Sequence, residues 1–211
     1  MKSNKIIIFD MDGVLTEEAS SWRAIHQYFG VDNSQNLKDF LNGKIDYDEF
    51  MRKDIALWPN KTHISQIEEI FSKVKTISGV KETIENLRDK GYQKIGIVSA
   101  GIDILANRIG KELSVNYIFA DGLKVDEKGF LTGEGVNRVD LLRKDILLDN
   151  LSKELKIPLS EFIAVGDSKY DISMLKKASF SIAFNPKDEE IKRVADIVIK
   201  DDDIRKILNY L

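Results

Sequence analysis

Residues 6–16 read IIIFDMDGVLT. Four bulky apolar residues, Ile6 to Phe9, run into two carboxylates, Asp10 and Asp12, and then Gly13. An apolar, β-branched run bounded by a turn predicts a strand buried on both faces. Two carboxylates at the end of such a strand repel each other and lose hydration. The pattern therefore demands either an exit into solvent at Asp10 or a positive group waiting beyond the strand.

From about residue 78 the chain alternates between helical and extended periods. VKETIENLRDKG predicts a helix with Val80, Ile84 and Leu87 on one face and a stop at Gly91. KIGIVSAG predicts a buried strand, and Ile102, Leu105, Ile109 and Leu113 mark the helix after it. NYIFA predicts a short strand, GLKVDEKGFLTGEG a small β-hairpin, and residues 138–156 a long helix ending before Pro158. EFIAVGD, SFSIAF and DIVIK predict further strands, separated by helices over DISMLKKA and KDEEIKRVA. A last helix over DDIRKILNYL closes the chain, with the acidic run at Asp201 as its solvated start. Strand and helix in strict alternation predict an α/β fold, a Rossmann-like, mostly parallel sheet with helices on both faces.

Residues 16–76 break that rhythm. Trp22, Ile25 and Phe29, then Met51, Ile55 and Trp58, then Ile64, Ile67, Phe71 and Val74 keep helical spacing with no strand between them. The expected organisation is an α/β catalytic core over 1–15 and 77–211, with a small all-helical cap, 16–76, inserted directly after the first strand.

The bulk properties narrow the classes of partner. The chain has 211 residues, 43% hydrophobic and 32% charged, and a net charge of −3. This balance suits a packed globular protein and argues against a nucleic-acid or membrane-surface footprint. No cysteine is present, which removes disulfide and thiolate chemistry and fits a reducing compartment. The N-terminal apolar run is too short for a signal peptide, and no stretch approaches the ~18 apolar residues of a membrane span. A cytoplasmic location is expected; the oligomeric state is not legible.

In open parallel sheets ligands bind beyond the C-terminal strand ends. Asp10 and Asp12 end the first strand, Ser99 ends KIGIV, and Asp167 ends FIAV within GDSKYD, with Asp171 closing that motif. Leu141, Lys144, Leu148, Leu151 and Leu155 fall at spacings of three and four, so Lys144 interrupts an apolar stripe. Each feature also has a local reading. Asp-x-Asp-Gly is turn chemistry, Ser99 and Asp171 suit helix caps, and a lysine can snorkel. Those readings leave unexplained why acids, a hydroxyl and a cation all converge on one edge. Four carboxylates meeting there need a counter-charge, and Mg²⁺, a hard ion with oxygen ligands, is the natural one.

These residues resemble the haloacid dehalogenase superfamily of aspartyl-phosphate hydrolases. FDMDGVLT, VSAG, Lys144 and GDSKYD match its four motifs in order over nearly the whole chain. The insert position, the hairpin and the 23-residue step from Lys144 to Asp167 look most like the phosphoserine phosphatase branch. The resemblance implies a Mg²⁺-dependent phosphomonoesterase acting on a small phosphorylated metabolite. Asp10 would be the nucleophile and Asp12 the general acid and base. Ser99 and Lys144 would hold the phosphoryl group, helped by backbone N–H groups near Ala100 and Gly101. The metal would sit on Asp10, Asp167 and the Asp12 carbonyl, with Asp171 binding or orienting its water shell.

The departures concern the substrate. The branch carries a glutamate for the substrate amine where this chain has Ala19, and a cap arginine for the carboxylate where it has Asp54. Arg52 is close, but two residues on a helix turn a side chain by about 200°. Ala100 replaces a customary glycine and Tyr170 an asparagine. His26 and His63 share no ligand spacing and read as structural, while Trp22, Tyr47 and Trp58 read as packing residues or pocket walls. Two other activities fit the same residues: a phosphotransferase or mutase using the same aspartyl-phosphate, and a non-catalytic phosphometabolite-binding protein.

Overall fold

A computed structural model describes residues 3–211 of the chain. Strand β1 (Ser3–Phe9) lies in a seven-stranded sheet with β2 (Tyr92–Ile102), β3 (Tyr117–Val125), β4 (Leu131–Val136), β5 (Phe162–Gly166), β6 (Phe180–Phe184) and β7 (Ile197–Ile199). The order is β4-β3-β2-β1-β5-β6-β7, parallel throughout except for β4, which is antiparallel to β3.

The opening stretch is buried on both faces because its side chains alternate. Ile7 and Phe9 point into one layer with Ile95, Ile97, Ile163 and Val165. Ile6 and Ile8 point into the other with Val98, Phe162 and Ala164. All four residues from Ile6 to Phe9 are fully buried, each such side chain contributing roughly 1.5–3 kcal/mol of transfer free energy. On the first face lie α5 (Val80–Asp89), α6 (Asp103–Leu113) and a closing 3₁₀ helix, Ile204–Asn209. On the second lie α7 (Asp145–Leu155), α8 (Ile172–Lys177) and α9 (Glu189–Lys192).

Between β1 and α5 come four helices, α1 (Ser21–Phe29), α2 (Ser34–Leu41), α3 (Tyr47–Ala56) and α4 (Ile64–Ser72). The stretches of chain leading in and out of this segment lie side by side. Thr16 and Thr76 form an antiparallel bridge, Glu17 N donates to Lys75 O (3.0 Å), and Ile77 N donates to Leu15 O (3.1 Å). Its opposite end is fastened to the β3–β4 hairpin, where Ile64 N donates to Gly129 O (2.9 Å) and Leu131 N to Thr62 O (2.9 Å). Among the described residues no helix is long and apolar enough to cross a membrane.

Several elements differ from their expected form. NYIFA and the first arm of the hairpin are one strand, β3, parallel to β2 at its start and antiparallel to β4 at its end. The helix expected over 138–156 begins only at Asp145. The Asp121 carboxylate accepts the N–H groups of Arg138 (2.8 Å) and Val139 (2.9 Å), which holds that stretch off a helical path. Lys144 therefore sits at the N-terminal end of α7 and not within a continuous stripe. The closing helix is 3₁₀, started by the Asp203 carboxylate, which accepts from Arg205 N. Helix α2 was not among the expected helices; Leu37, Phe40 and Leu41 do keep helical spacing, but on only eight residues, none of them fully buried.

Candidate active site

Asp10 and Asp167 stand just past β1 and β5, while Ser99, expected to end its strand, lies within β2 where the register with β3 breaks between Ser99 and Ile102. Asp10 follows β1 and donates its backbone N–H to Val165 O of β5 (2.9 Å). After it the chain turns sharply, with the N–H groups of Val14, Leu15 and Thr16 all directed at Met11 O (3.2, 2.9 and 3.1 Å). Gly13 takes φ +78° in this turn, and a Cβ there would collide with the Asp167 carboxylate and the Lys187 ammonium. Only glycine fits that position.

The positive group demanded by the opening stretch is present. Lys144, 2% exposed, places Nζ 2.9 Å from Asp10 Oδ1 and 2.6 Å from Asp171 Oδ1. Burial pushes its pKa down, but Asp10 and Asp171 outweigh that and hold it above the ordinary lysine range. Asp171 Oδ2 accepts from the backbone N–H of Asp167 (2.9 Å) and of Ser168 (3.2 Å), so this acid fixes both the lysine and the loop after β5. A second cation, Lys187, is paired with Asp167.

Charge remains unbalanced even so. Burial and then Asp171 raise the pKa of Asp10, against the lowering pull of Lys144. Burial and then Asp10 raise Asp12 to about 7, and burial with Asp171 and Asp10 raises Asp167 to about 8. With all four carboxylates ionised against two ammonium groups, the formal deficit equals the charge of one divalent cation. One oxygen each from Asp10, Asp167 and Asp171 lies within 4.8 Å of the others. Asp12 Oδ1 is buried with no hydrogen-bond partner among the described residues. An all-oxygen donor set with this charge deficit fits Mg²⁺.

Ser99 Oγ accepts from Gly101 N (3.2 Å), which occupies that N–H locally. Gly101 has a further role. A Cβ there would strike Ser21 Oγ and Asp12 Oδ2, so its absence lets α1 and the Asp12 carboxylate close onto β2. The Ala100 carbonyl accepts from Trp22 Nε1 (3.0 Å).

Above these groups lies a cleft of about 310 Å³. Its floor includes Asp10, Asp12, Ser99, Ala100, Gly101, Lys144 and Asp167. The helical segment contributes Ala19, Trp22, Arg23, Asn33, Tyr47, Phe50 and Asp54, and Tyr170 joins from the loop after β5. Asp171 is not on the cleft lining and stands behind Lys144. Arg52 faces away from the cleft and pairs with Glu49 and Glu134. His26 is buried against Asp54 and Trp58, and His63 caps α4 and meets Lys128 O of the hairpin (3.0 Å).

Ser21, Lys187, Asn33 and Asn36 were not singled out by the sequence patterns. Ser20, the residue before α1, caps that helix by accepting from Arg23 N. That Ser21 turns back onto Asp12 is a tertiary contact with no local signature.

Parallel sheet, strand-end acids and a buried lysine are features of one hydrolase class. The profile of the haloacid dehalogenase-like hydrolases matches residues 4–179, and the chain belongs to that family, as a phosphatase-type enzyme. Its relatives within the family are more particular. A phosphoserine phosphatase of Methanocaldococcus jannaschii is 34% identical over 213 residues, covering 100% of this chain and 99% of that protein. One from Lactococcus lactis is 32% identical over 188 residues, covering 87% and 85%. Among solved structures, a phospho-aspartyl intermediate analogue of phosphoserine phosphatase matches with TM-score 0.85 and 34% identity over 100% of both chains. A substrate-bound phosphoserine phosphatase complex matches with TM-score 0.85 and 33% identity, again over 100% of both.

Proposed function

We propose that this protein is a Mg²⁺-dependent phosphomonoesterase that hydrolyses a small phosphorylated metabolite through an aspartyl-phosphate. The observation that carries this reading is the Lys144 ammonium held 2.9 Å from Asp10 Oδ1 at the floor of the cleft. A carboxylate so placed is a fixed nucleophile, and the cation beside it offsets repulsion from an incoming phosphoryl group. Asp10 attacks phosphorus in line, the P–O bond to the alcohol breaks, and Asp12 delivers a proton to the leaving oxygen. Asp12 then takes a proton from water, which attacks the same phosphorus, frees inorganic phosphate and restores the Asp10 carboxylate. A pKa of about 7 suits Asp12 to both transfers near neutral pH. Ser99 and Lys144 orient the phosphoryl oxygens. Bound on Asp10, Asp167 and the Asp12 carbonyl, with Asp171 ordering its surroundings, Mg²⁺ would neutralise charge on the transferring group.

In this reading residues 16–76 act as a cap on a core formed by 1–15 and 77–211, excluding bulk water and choosing the leaving group. The enzyme is proposed to work in the cytoplasm. Phosphoserine is the substrate suggested by the relatives' names, but Ala19 and Asp54 alter the two positions that grip it in that branch. Asp10→Asn tests the chemistry. It should reduce phosphate release from an aryl phosphate by more than about a thousandfold with an unchanged far-ultraviolet spectrum. Substantial residual turnover would refute Asp10 as nucleophile.

A further inference from the structure

Asp54 is 1% exposed, yet it lines the cleft. Its Oδ2 accepts from Asn33 Nδ2 (2.6 Å) and from His26 Nε2 (3.1 Å), and its Oδ1 from Asn36 Nδ2 (2.9 Å). The state of His26 follows from its other nitrogen. Trp58 Nε1 can only donate, and it reaches His26 Nδ1 at 2.9 Å. Nδ1 must therefore accept, which places the imidazole proton on Nε2 and leaves the ring neutral. All three partners of Asp54 are then uncharged donors. Its negative charge is solvated by dipoles and matched by no cation among its hydrogen-bond partners.

The remaining wall is aromatic. Trp22, Tyr47 and Phe50 line the same cleft. The polar ends of the first two are already engaged, Trp22 with Ala100 O and Tyr47 with Asp121 (2.6 Å), so they offer the cleft ring surface. Asn33 donates one amide N–H to Asp54 and keeps a carbonyl oxygen able to accept. A carboxylate, a carbonyl oxygen and aromatic rings together form an environment for a cation. Arg23 also lines the cleft, but its side chain is 56% exposed and pairs with Glu18 at 3.5 Å, which leaves Asp54 as the buried charge of this wall.

We propose that the cleft selects phosphate monoesters whose alcohol carries an ammonium group and no carboxylate. This rests on the phosphomonoesterase reading above and specifies its substrate class. A carboxylate placed near Asp54 meets a like charge in a poorly hydrated site, whereas an ammonium there gains a partner without displacing one. Ala19 leaves no second acid to hold an amine on the β1 side, so the contact falls to Asp54 and the rings.

The test compares kcat/KM for phosphoethanolamine and phosphocholine with glycerol 1-phosphate, which is neutral at that end, and with phosphoserine and phosphoglycolate. The cationic pair should exceed the neutral ester at least tenfold, and the carboxylates should rank last. Asp54→Asn should shrink the cationic-to-neutral ratio to within about threefold. Should that variant fail to fold, the wild-type protein answers alone. By calorimetry 2-aminoethylphosphonate should bind at least tenfold more tightly than propylphosphonate, which differs in charge and little in size. Equal affinities, or a preference for the neutral or carboxylate esters, would overturn the inference. Absence of turnover on every ester, aryl phosphate included, would instead overturn the phosphatase reading, while the phosphonate pair would still report the charge preference.

Discussion

Ser21 donates twice to one oxygen of Asp12, through its backbone N–H at 2.7 Å and its hydroxyl at 2.8 Å. The same hydroxyl oxygen accepts from Ile102 N at 2.9 Å. The first residue of α1 is thus joined to the acid after β1 and to the end of β2 at once. Both bonds favour the ionised carboxylate and oppose the burial that raises its pKa to about 7. Ser21→Ala removes one of them, so the Asp12 pKa rises further. Whether Asp12 is limiting as acid or as base, the limb of the pH–rate profile that it sets should move to higher pH, with kcat falling several-fold. A profile superimposable on wild type would show that Asp12 does not set either limb.

Lys144→Met should be costly even without catalysis. It strips the cation from two buried carboxylates, Asp10 and Asp171, while keeping much of the side-chain volume. Breaking a buried pair from one side typically costs about 3–5 kcal/mol. Urea unfolding without divalent ions checks this, and a loss below about 1 kcal/mol would contradict the pairing.

Metal should act on stability as well as on rate. EDTA should silence hydrolysis and Mg²⁺ restore it. In a thermal melt Mg²⁺ should raise Tm, since a ligand at a hundred times its Kd adds about 2.7 kcal/mol. Asp167→Asn should abolish most of that Tm response. A variant that responds like wild type would remove Asp167 from the metal site.

Asp121 gives a pH signature away from the strand-end acids. Burial raises its pKa to about 6, against the lowering effect of bonds from Tyr47, Arg138 and Val139. With the unfolded value near 3.9, the folded state binds more protons between these values. Its contribution is therefore most favourable at low pH and is lost as pH rises through about 6. The change is on the order of 3 kcal/mol. Asp121→Asn should flatten this part of the stability–pH curve between pH 4 and 7, as measured by denaturant unfolding.

Arg52→Ala should do little. Its partners Glu49 and Glu134 are exposed, and such pairs contribute about 0–1 kcal/mol. KM for any substrate should stay within about twofold of wild type. A large rise would mean that Arg52 reaches the cleft after all.

The sequence carried the sheet because β1, β2, β5 and β6 are short apolar runs closed by turns or acids, a pattern that depends on a few neighbouring residues. It carried the strand-end acids for the same reason. It lost the start of α7, which Asp121 delays through hydrogen bonds spanning 17 and 18 residues. It lost α2, whose stripe of Leu37, Phe40 and Leu41 spans barely two turns and buries no side chain completely. The replacement of an arginine by Asp54 was visible, but its meaning was not. That depends on His26 of α1, Asn36 of α2, Asn33 just before α2 and Trp58 just after α3 being gathered around it.

The bridge between Thr16 and Thr76 has a consequence for how such an enzyme can change over evolutionary time. In the reading proposed above, the chain leaves and re-enters the core through one doorway, and the segment between is a cassette. A change of length there leaves β1 threaded between β2 and β5, although Ile25, Ile67 and Phe71 share a core with Ile7 and Phe9. Ala19, Trp22, Phe50 and Asp54 all lie inside that cassette, and Asp10, Asp167 and Lys144 all lie outside it. On the roles proposed for these residues, new substrates can be tried in one part of the gene while the reaction is kept in the other.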